Sequence, residues 1–437
     1  MITILDCYTD EPAGLGVPPY LGTYPRYVYG CLKEADYITI DDLRFFFHYN
    51  LDNKKREINR KTNIRIYNLT KNISRIKEIV ENTSKLIVIL GVHTPGKYLS
   101  AIPGTLSEIS SYLERFNCEK ILTGPAVFGT QLEGGRFFEK SDVKFDKIEK
   151  FDFSYDDIAN YSVDGAKIIE QIPDLRMIEI ETGHGCGRAK GCSFCTEPIK
   201  HRIEFRKKED IVKEIKAFYD LGCKYFRLGK QSCFYSFPKA GELLRDIREM
   251  FKDIILHIDN VNPSKVVSDV QLTKDIVKYC SSGNVAAFGV ESFDPKVYSE
   301  NNLNCDAETA LDAIKILNKY GANKGDNGMP KFLPGINLLF GLKGESKKTH
   351  EANIGFLKDV LENNLLLRRI NIRQVSLFEG TDLFESVGNK FIKKNRKFYW
   401  KWRNDIRQKI DFPMLKKMLP VGSILRDVRM EIYDGNT

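Results

Sequence analysis

The sequence predicts an α/β protein: a Rossmann-like parallel sheet, a partial (β/α)6 barrel after it, and a short basic C-terminal tail. Three observations predict it. Short apolar strands alternate with amphipathic helices in two separate series, as parallel sheets with crossover helices require. Glycine- and proline-rich loops follow strands of the first series, where such sheets place ligands. The chain has 437 residues, 42% hydrophobic and 29% charged, which suits two or three domains with ordinary cores. The boundaries read as 1–150 for the first sheet, 151–176 for a polar connector, 177–390 for the barrel and 391–437 for the tail.

In the first series, Ile2–Leu5, Tyr37–Asp41, Leu86–Leu90 and Glu119–Gly124 read as buried strands. Ile73–Ser84 and Leu106–Phe116 carry helical spacing of apolar residues. Three loops, Gly14–Tyr20, Gly91–Tyr98 and Gly124–Gly129, sit at strand ends. None of them contains GxGxxG, so neither NAD nor FAD is expected. The second series places strands at 177–181, 224–228, 254–258, 285–290, 335–340 and 370–376. Helices fall between them at 208–221, 238–251, 264–280, 306–320 and 347–363. Six such units suit a partial barrel, since a full eightfold one takes about 250 residues. From Phe391 a basic, aromatic, helix-like stretch follows, interrupted at Pro413 and Pro420. Ser423–Tyr433 then reads as a lone strand that must join another sheet or belong to an incomplete appended domain.

Composition excludes several classes. No apolar run reaches the roughly 18 residues of a membrane span, and no secretory leader is visible, so a cytoplasmic protein with no membrane partner is expected. Ten cysteines are too few for a disulfide scaffold of this length. The net charge of +8 is concentrated: Lys390–Lys417 holds eleven Lys or Arg against two Asp, leaving the rest near neutral.

Three cysteines, Cys186, Cys192 and Cys195, fall within ten residues on a glycine-rich loop after the first barrel strand. Such clustering points to metal or redox chemistry. Two readings follow from the residues alone: a Cys3His zinc site using His184, or an iron–sulfur cluster with one iron left open, since four-iron clusters normally take four cysteines.

With an aromatic residue, Phe194, before the last cysteine and a six-unit barrel, this segment resembles the radical S-adenosylmethionine superfamily. The resemblance spans about 177–381. Phe288-Gly-Val-Glu-Ser292 resembles the fourth-strand motif, and Gly335 to Ser346 resembles the fifth-strand motif ending in a "GLPGET"-like turn. Arg369 to Thr381 resembles the sixth strand and its exit loop. The resemblance implies a [4Fe-4S] cluster on the three cysteines and S-adenosylmethionine chelating the open iron. An external electron donor would drive reductive cleavage to a 5′-deoxyadenosyl radical. It assigns Phe194 to the adenine and Glu291 to the ribose, with Gly229, Gln231, Gly335 and Arg373 as further cofactor contacts. His257, Asp259, Asn260 and Gln374 end strands three and six, where they could face substrate. Two departures stand out: the spacing is Cys-x5-Cys-x2-Cys rather than CxxxCxxC, and the second-strand GGE motif is Gly229-Lys-Gln231, without its carboxylate.

A Rossmann-like domain before such a barrel resembles two subgroups. One binds cobalamin and transfers methyl groups, with the three loops above facing the corrin, although DxHxxG is missing here. The other comprises methylthiotransferases with a second cluster, for which Cys7, Cys31 and Cys118 are the available thiols. A scaffold domain is the third reading. In the tail, Phe391, Phe398, Tyr399, Trp400 and Trp402 interleave with the basic residues of 390–417. That stretch is expected either to bind RNA or to pack its aromatic stripe on the barrel. The function expected is methylation or a related group transfer on RNA, protein or a small molecule. The alternative is a zinc- or cluster-stabilised nucleic-acid-binding protein without radical chemistry.

Overall fold

A computed structural model describes residues 1–8, 20–48, 68–91, 103–124, 132–133, 137–138, 145–173 and 176–428. In chain order these form β1 (Ile2–Asp6), β2 (Tyr20–Leu21), α1 (Thr23–Leu32), β3 (Asp36–Thr39), α2 (Ile40–His48), α3 (Ile76–Asn82), β4 (Lys85–Ile89), α4 (Leu106–Leu113) and β5 (Glu119–Thr123). The short strands β6 (Leu132–Glu133), β7 (Phe137–Phe138) and β8 (Lys147–Ile148) precede α5 (Tyr155–Asp164) and β9 (Met177–Glu181). Next come β10 (Gly183–His184), α6 (Glu197–Lys200), β11 (Glu204–Phe205), α7 (Lys208–Asp220), β12 (Tyr225–Gly229), α8 (Ala240–Met250), β13 (Ile255–Ile258) and β14 (Asn260–Val261). The chain continues with α9 (Pro263–Ser268), α10 (Val270–Tyr279), β15 (Asn284–Glu291), α11 (Pro295–Glu300), α12 (Ala307–Gly321) and β16 (Phe332–Phe340). It closes with α13 (Lys347–Glu362), β17 (Arg369–Gln374), α14 (Asp382–Val387), α15 (Lys390–Ile406) and α16 (Phe412–Met418).

Two compact units result: Met1–Ile180 with Glu209–Tyr225, and Glu181–Lys208 with Phe226–Val428. The first is built on a five-stranded sheet in the order β3-β1-β4-β5-β8, with every pairing parallel. β1 and β4 are runs of β-branched and leucine residues, nearly all fully buried, as central strands covered on both faces must be. Ile38, Ile79, Val88, Ile109 and Phe116 fill one layer of that core. This is the doubly wound order in which the chain reverses direction between the first strand and the third. The ligand crevice of such sheets opens there, at the carboxyl ends of β1 and β4. The three glycine-bearing loops of the sequence analysis leave from this edge but lie mostly outside the described residues. Their start is described: Gly124 has φ +95°, and a Cβ on it would stand 2.7 Å from the Leu90 carbonyl. The same edge is stiffened by a buried polar network. Asp42 accepts from the Thr39 and Thr70 amides at 2.7 and 2.9 Å, and Arg44 joins Asp41 at 3.0 Å to Glu108 at 2.6 Å.

Several first-unit elements were not expected. The presumed connector carries α5, whose Ser154 and Asp157 form a reciprocal capping box. α1 covers the stretch around Cys31, which reads as helix-like, and its buried face includes Arg26. That side chain is fully buried, donating to the Glu179 carbonyl at 2.6 Å and to Glu214 of α7 at 2.8 Å. α2, too, begins directly after β3, with Asp41 and Asp42 buried in its first turn.

The second unit carries the alternating strand–helix series of the barrel. β12 lies beside β13, and β14-β15-β16-β17 form a parallel sheet. The expected helix at 264–280 divides at Asp269, whose carboxylate caps α10 by accepting from the Leu272 amide at 2.9 Å. Pro413 does not interrupt the tail: it occupies the first turn of α16, which follows α15 through the π-helical turn Arg407–Asp411, an irregularity that helices often show where the bonding ladder is broken. The lone strand expected at 423–433 is absent from its described part, 423–428. No described helix is long and apolar enough to cross a membrane.

Removing one partner of the fully buried Arg26–Glu214 pair strands the other charge. Glu214→Ala should therefore destabilise the protein by about 3–5 kcal/mol in urea unfolding, whereas an exposed pair such as Lys77–Glu81 should contribute under about 1 kcal/mol.

Candidate active site

The cysteine segment is a closed loop. β10 and β11 pair antiparallel, Gly183 with Phe205 and His184 with Glu204, and so clamp its two ends together. Gly185 turns the chain inward at φ +80°, and a Cβ there would lie 2.4 Å from the Arg202 carbonyl. Its amide donates to Glu197 at 2.7 Å.

One buried side chain anchors the far side of the loop. The Asn301 carboxamide donates to the Val297 and Lys343 carbonyls at 2.8 and 2.9 Å and accepts from the Ser193 hydroxyl at 2.8 Å. The Asn301 carbonyl also accepts from the Ser193 amide at 2.9 Å. Asn302 holds the carbonyls of Lys190 and Gly191 at 2.7 and 2.9 Å. Neither asparagine belongs to a motif, so sequence reading missed both.

The enlarged first loop has its own content. Arg188, inside the five-residue spacer, donates to the Asn302 and Leu303 carbonyls and brings Nη1 to 3.1 Å from Cys192 Sγ. Burial pushes the Cys192 thiol up to about 12 and Cys195 above its usual value, and each responds to a neighbouring cysteine of the triplet. Buried sulfurs that ionise only at a cost without a cation, with a guanidinium already aimed at one of them, suit a cationic iron–sulfur core. The residues present fit that group.

The zinc reading asks His184 to be a ligand. Its two nitrogens instead face Glu181 at 3.7 Å and Glu204 at 3.6 Å, and the Glu181 carboxylate holds the imidazole above its usual pKa. A ring held toward protonation between carboxylates is a poor metal ligand.

The remaining expected contacts divide. Gly229 ends β12, its carbonyl accepting from the Thr182 amide at 3.2 Å. Gln231 is buried; its Oε1 accepts from the Thr182 hydroxyl at 2.7 Å, while Nε2 has no partner among the described residues. Between them Lys230 occupies a left-handed conformation, φ +68°, and burial lowers its ammonium to about 8. Glu291 ends β15 beyond a register shift, with φ +65°. Burial pushes its carboxyl up to about 8, against the nearby Arg373 guanidinium. These groups therefore gather at strand ends.

Phe194 and Gly335 sit elsewhere. Phe194 packs against Val297, Leu303, Leu342, Val375 and Leu383, seating the loop. Gly335 lies within β16, paired with Ala287 and Arg369, five residues before that strand ends at Phe340. Of the possible substrate-facing groups, Asp259 pairs with Arg227, Asn260 donates to the Gln231 carbonyl at 3.2 Å, and His257 is lowered to about 4 by burial, with its Nε2 unpartnered among the described residues. The thiols proposed for a second cluster are not brought together: Cys7 is in the sheet core with Cys118 packed at its edge, whereas Cys31 interacts with Tyr161.

The second half of the fifth-strand motif is a structural clasp. Glu345 accepts from the Gly341 amide at 2.6 Å and from the Asn395 carboxamide of α15 at 2.8 Å. Burial still pushes its carboxyl up to about 7.

Comparison with known proteins agrees with this geometry. The Radical SAM superfamily matches residues 180–357. The chain is 42% identical to an uncharacterised protein of Methanocaldococcus jannaschii, MJ0274, over 99% of its own length and 84% of the relative's. A protein of Archaeoglobus fulgidus is 39% identical over 98% and 81%. Among solved structures, the radical S-adenosylmethionine methyltransferase TsrM of Kitasatospora setae, with cobalamin and a [4Fe-4S] cluster bound, shares the fold. Its TM-score is 0.54 at 13% identity, covering 87% of this chain and 73% of that one. The chain belongs to the radical S-adenosylmethionine superfamily.

Two predictions follow from this site. Asn301→Ala orphans several buried groups and should cost about 2–4 kcal/mol; iron retained after anaerobic reconstitution should fall with it. Glu345 binds its proton more tightly folded than unfolded, so its contribution is full below pH 4.5 and is lost as pH rises toward 7. Relative to wild type, Glu345→Gln should therefore gain up to roughly 3 kcal/mol between pH 4 and 8, read by urea denaturation across pH.

Proposed function

We propose that this radical S-adenosylmethionine enzyme carries out methylation or a related one-carbon transfer, with cobalamin held at the carboxyl edge of the first unit's sheet. The observation that carries the proposal is the strand order β3-β1-β4-β5-β8, which opens a crevice between the ends of β1 and β4. The residues around that edge suit a bulky ligand: Gly91 and Gly124 turn the chain away with φ of +103° and +95°, and the Asp42–Arg44 network holds α2 rigid beside it. TsrM, which shares the fold, is a methyltransferase whose structure contains cobalamin.

When bound, the cluster, S-adenosylmethionine and an external electron donor supply a radical able to take an unactivated hydrogen. The chain's own residues do the positioning. Cys186, Cys192 and Cys195 hold iron, and Arg188 stabilises charge on the Cys192 sulfur. Glu291, desolvated at the end of β15, would accept from ribose hydroxyls. Where the family motif has a carboxylate for the methionine amine, this chain has Gln231. Its free Nε2 is a donor and suits the methionine carboxylate instead. In the proposed complex, Gln231→Glu would place a carboxylate against that carboxylate and weaken cofactor binding.

Anaerobic reconstitution tests the assignment. Wild-type protein should retain about four irons and convert S-adenosylmethionine to 5′-deoxyadenosine when reduced. The triple Cys→Ala variant should do neither. Glu291→Ala should weaken cofactor binding by roughly 1.5–3 kcal/mol, and unchanged affinity would return Glu291 to a structural role. Incubation with hydroxocobalamin should leave a corrin spectrum near one equivalent after desalting. Bulky substitution at Gly124 is no test of the groove, because its backbone conformation excludes other residues. If no corrin is retained, the first unit is a scaffold and the methyl-transfer assignment falls with it.

A further inference from the structure

α15 has two faces of opposite character. Asn395, Tyr399, Trp402 and Ile406 are buried, with Trp402 stacked on His350 at 5.3 Å and Tyr399 edge-on to Phe340 at 5.7 Å. The aromatic stripe thus packs on the second unit. The solvent face is a continuous cationic track: Lys390, Lys394, Lys397 and Lys401 recur at i, i+4, i+7 and i+11, all exposed. That spacing aligns them over about 16 Å of helix.

This is not the usual solvated helix surface, where opposite charges alternate at i, i+4. From Lys390 to Asn404 there is no Asp or Glu at all. Compensation begins only afterwards, with Asp405 to Lys409 and Asp411 to Arg407. None of the four lysines forms a salt bridge among the described residues.

At its N-terminal end the track runs into a cleft of about 470 Å³, where Lys390 and Lys394 meet Lys296, Lys348 and the Phe391 ring. Two carboxylates on its wall are already committed. Asp294 accepts from the Thr349 hydroxyl at 2.6 Å and the Lys296 amide at 2.9 Å, and Glu300 lies 3.8 Å from Lys296 Nζ. Flanking the track, Trp400 is 67% exposed with the Arg403 guanidinium 5.4 Å from its ring.

We propose that the cleft and the α15 track form a docking surface for single-stranded RNA, with phosphates on the lysines and a base stacked on Trp400. The chemistry on offer is cations at near-regular spacing and an open aromatic face. These suit a phosphodiester strand with unpaired bases. The run of cations without one carboxylate over fifteen residues favours a polyanionic strand over a single charged side chain. The inference deepens the proposed function by naming a substrate class. It is read from binding alone, so its failure leaves the radical chemistry standing, and loss of cofactor cleavage leaves it standing in turn.

The test uses the full chain with a labelled 20-nucleotide RNA, a DNA of the same sequence, and phosphatidylserine-containing vesicles. Wild-type protein should bind RNA saturably and lose affinity with salt. Replacing the four lysines by Gln, a change confined to exposed positions, should weaken binding about tenfold or more and reduce the log–log salt slope by roughly 3. Circular dichroism should confirm that the variant keeps its helices. RNA should also quench tryptophan fluorescence. Because Trp402 is only 3% exposed, the quench belongs to Trp400 and should vanish in Trp400→Ala, with affinity down about 5- to 100-fold. Equal or tighter binding of the DNA would overturn the choice of RNA as the occupant. RNA binding that survives in the four-lysine variant, absence of binding to either strand, or binding to vesicles alone would overturn the proposal.

Discussion

The buried carboxamide of Asn301 is the constraint on which the site depends. A loop that must carry three sulfurs to one place has little regular structure of its own, and glycine-rich backbone is entropically costly to order. Asn301 offsets that cost with a side chain that spans three segments: the cysteine loop through Ser193, the end of α11 through Val297, and the β16 exit loop through Lys343. Because it is fully buried, none of those bonds competes with water. Arg188 and Asn302 then tie the enlarged spacer to the same segment.

Around that anchor the strand ends present desolvated charge. Glu291 and Lys230 both sit in left-handed backbone, a conformation that costs energy for side chains of this size and clusters at functional sites. Burial pushes each toward its neutral form, Glu291 up and Lys230 down. A ligand carrying complementary charge would reverse that balance and recover the desolvation cost. The Gly-Lys-Gln sequence at β12 fits the same logic. The second position keeps the backbone turn that a glycine would make, and the third replaces an acceptor carboxylate by an amide whose Oε1 is already held by Thr182.

The tail shows how one helix can serve packing and surface together. Trp402 and Tyr399 are core residues against Phe340 and His350, and Asn395 reaches Glu345 to close the β16 turn. The basic residues beside them are thereby presented on a rigid helix. The pattern thus holds two helical faces, an aromatic one that packs and a basic one that stays exposed.

Much of the architecture was legible from local pattern. β-branched runs identified the central strands of both series to within a few residues, because a strand buried on both faces must be apolar throughout. The cysteine triplet and the strand-end carboxylate Glu291 were likewise readable, since their residue types have few other uses at that spacing. What escaped was whatever depends on partners far away in sequence. The burial of Arg26 of α1 against Glu214, 188 residues on, left no mark in the local pattern. That Phe194 seats the loop on the cluster of Val297, Leu342 and Leu383 was equally invisible to local pattern. The lone C-terminal strand failed in its described part because alternating apolar residues make a strand only where another strand is there to pair with them. By itself the sequence determined the two alternating series, the cysteine triplet and the charge of the tail, all properties of residue type and short spacing. Only the tertiary structure decided that Asn301 anchors the loop, that Arg188 faces a sulfur and that one side of α15 stays open to solvent. Those outcomes depend on which distant polar groups become buried together, and local periodicity carries no record of that.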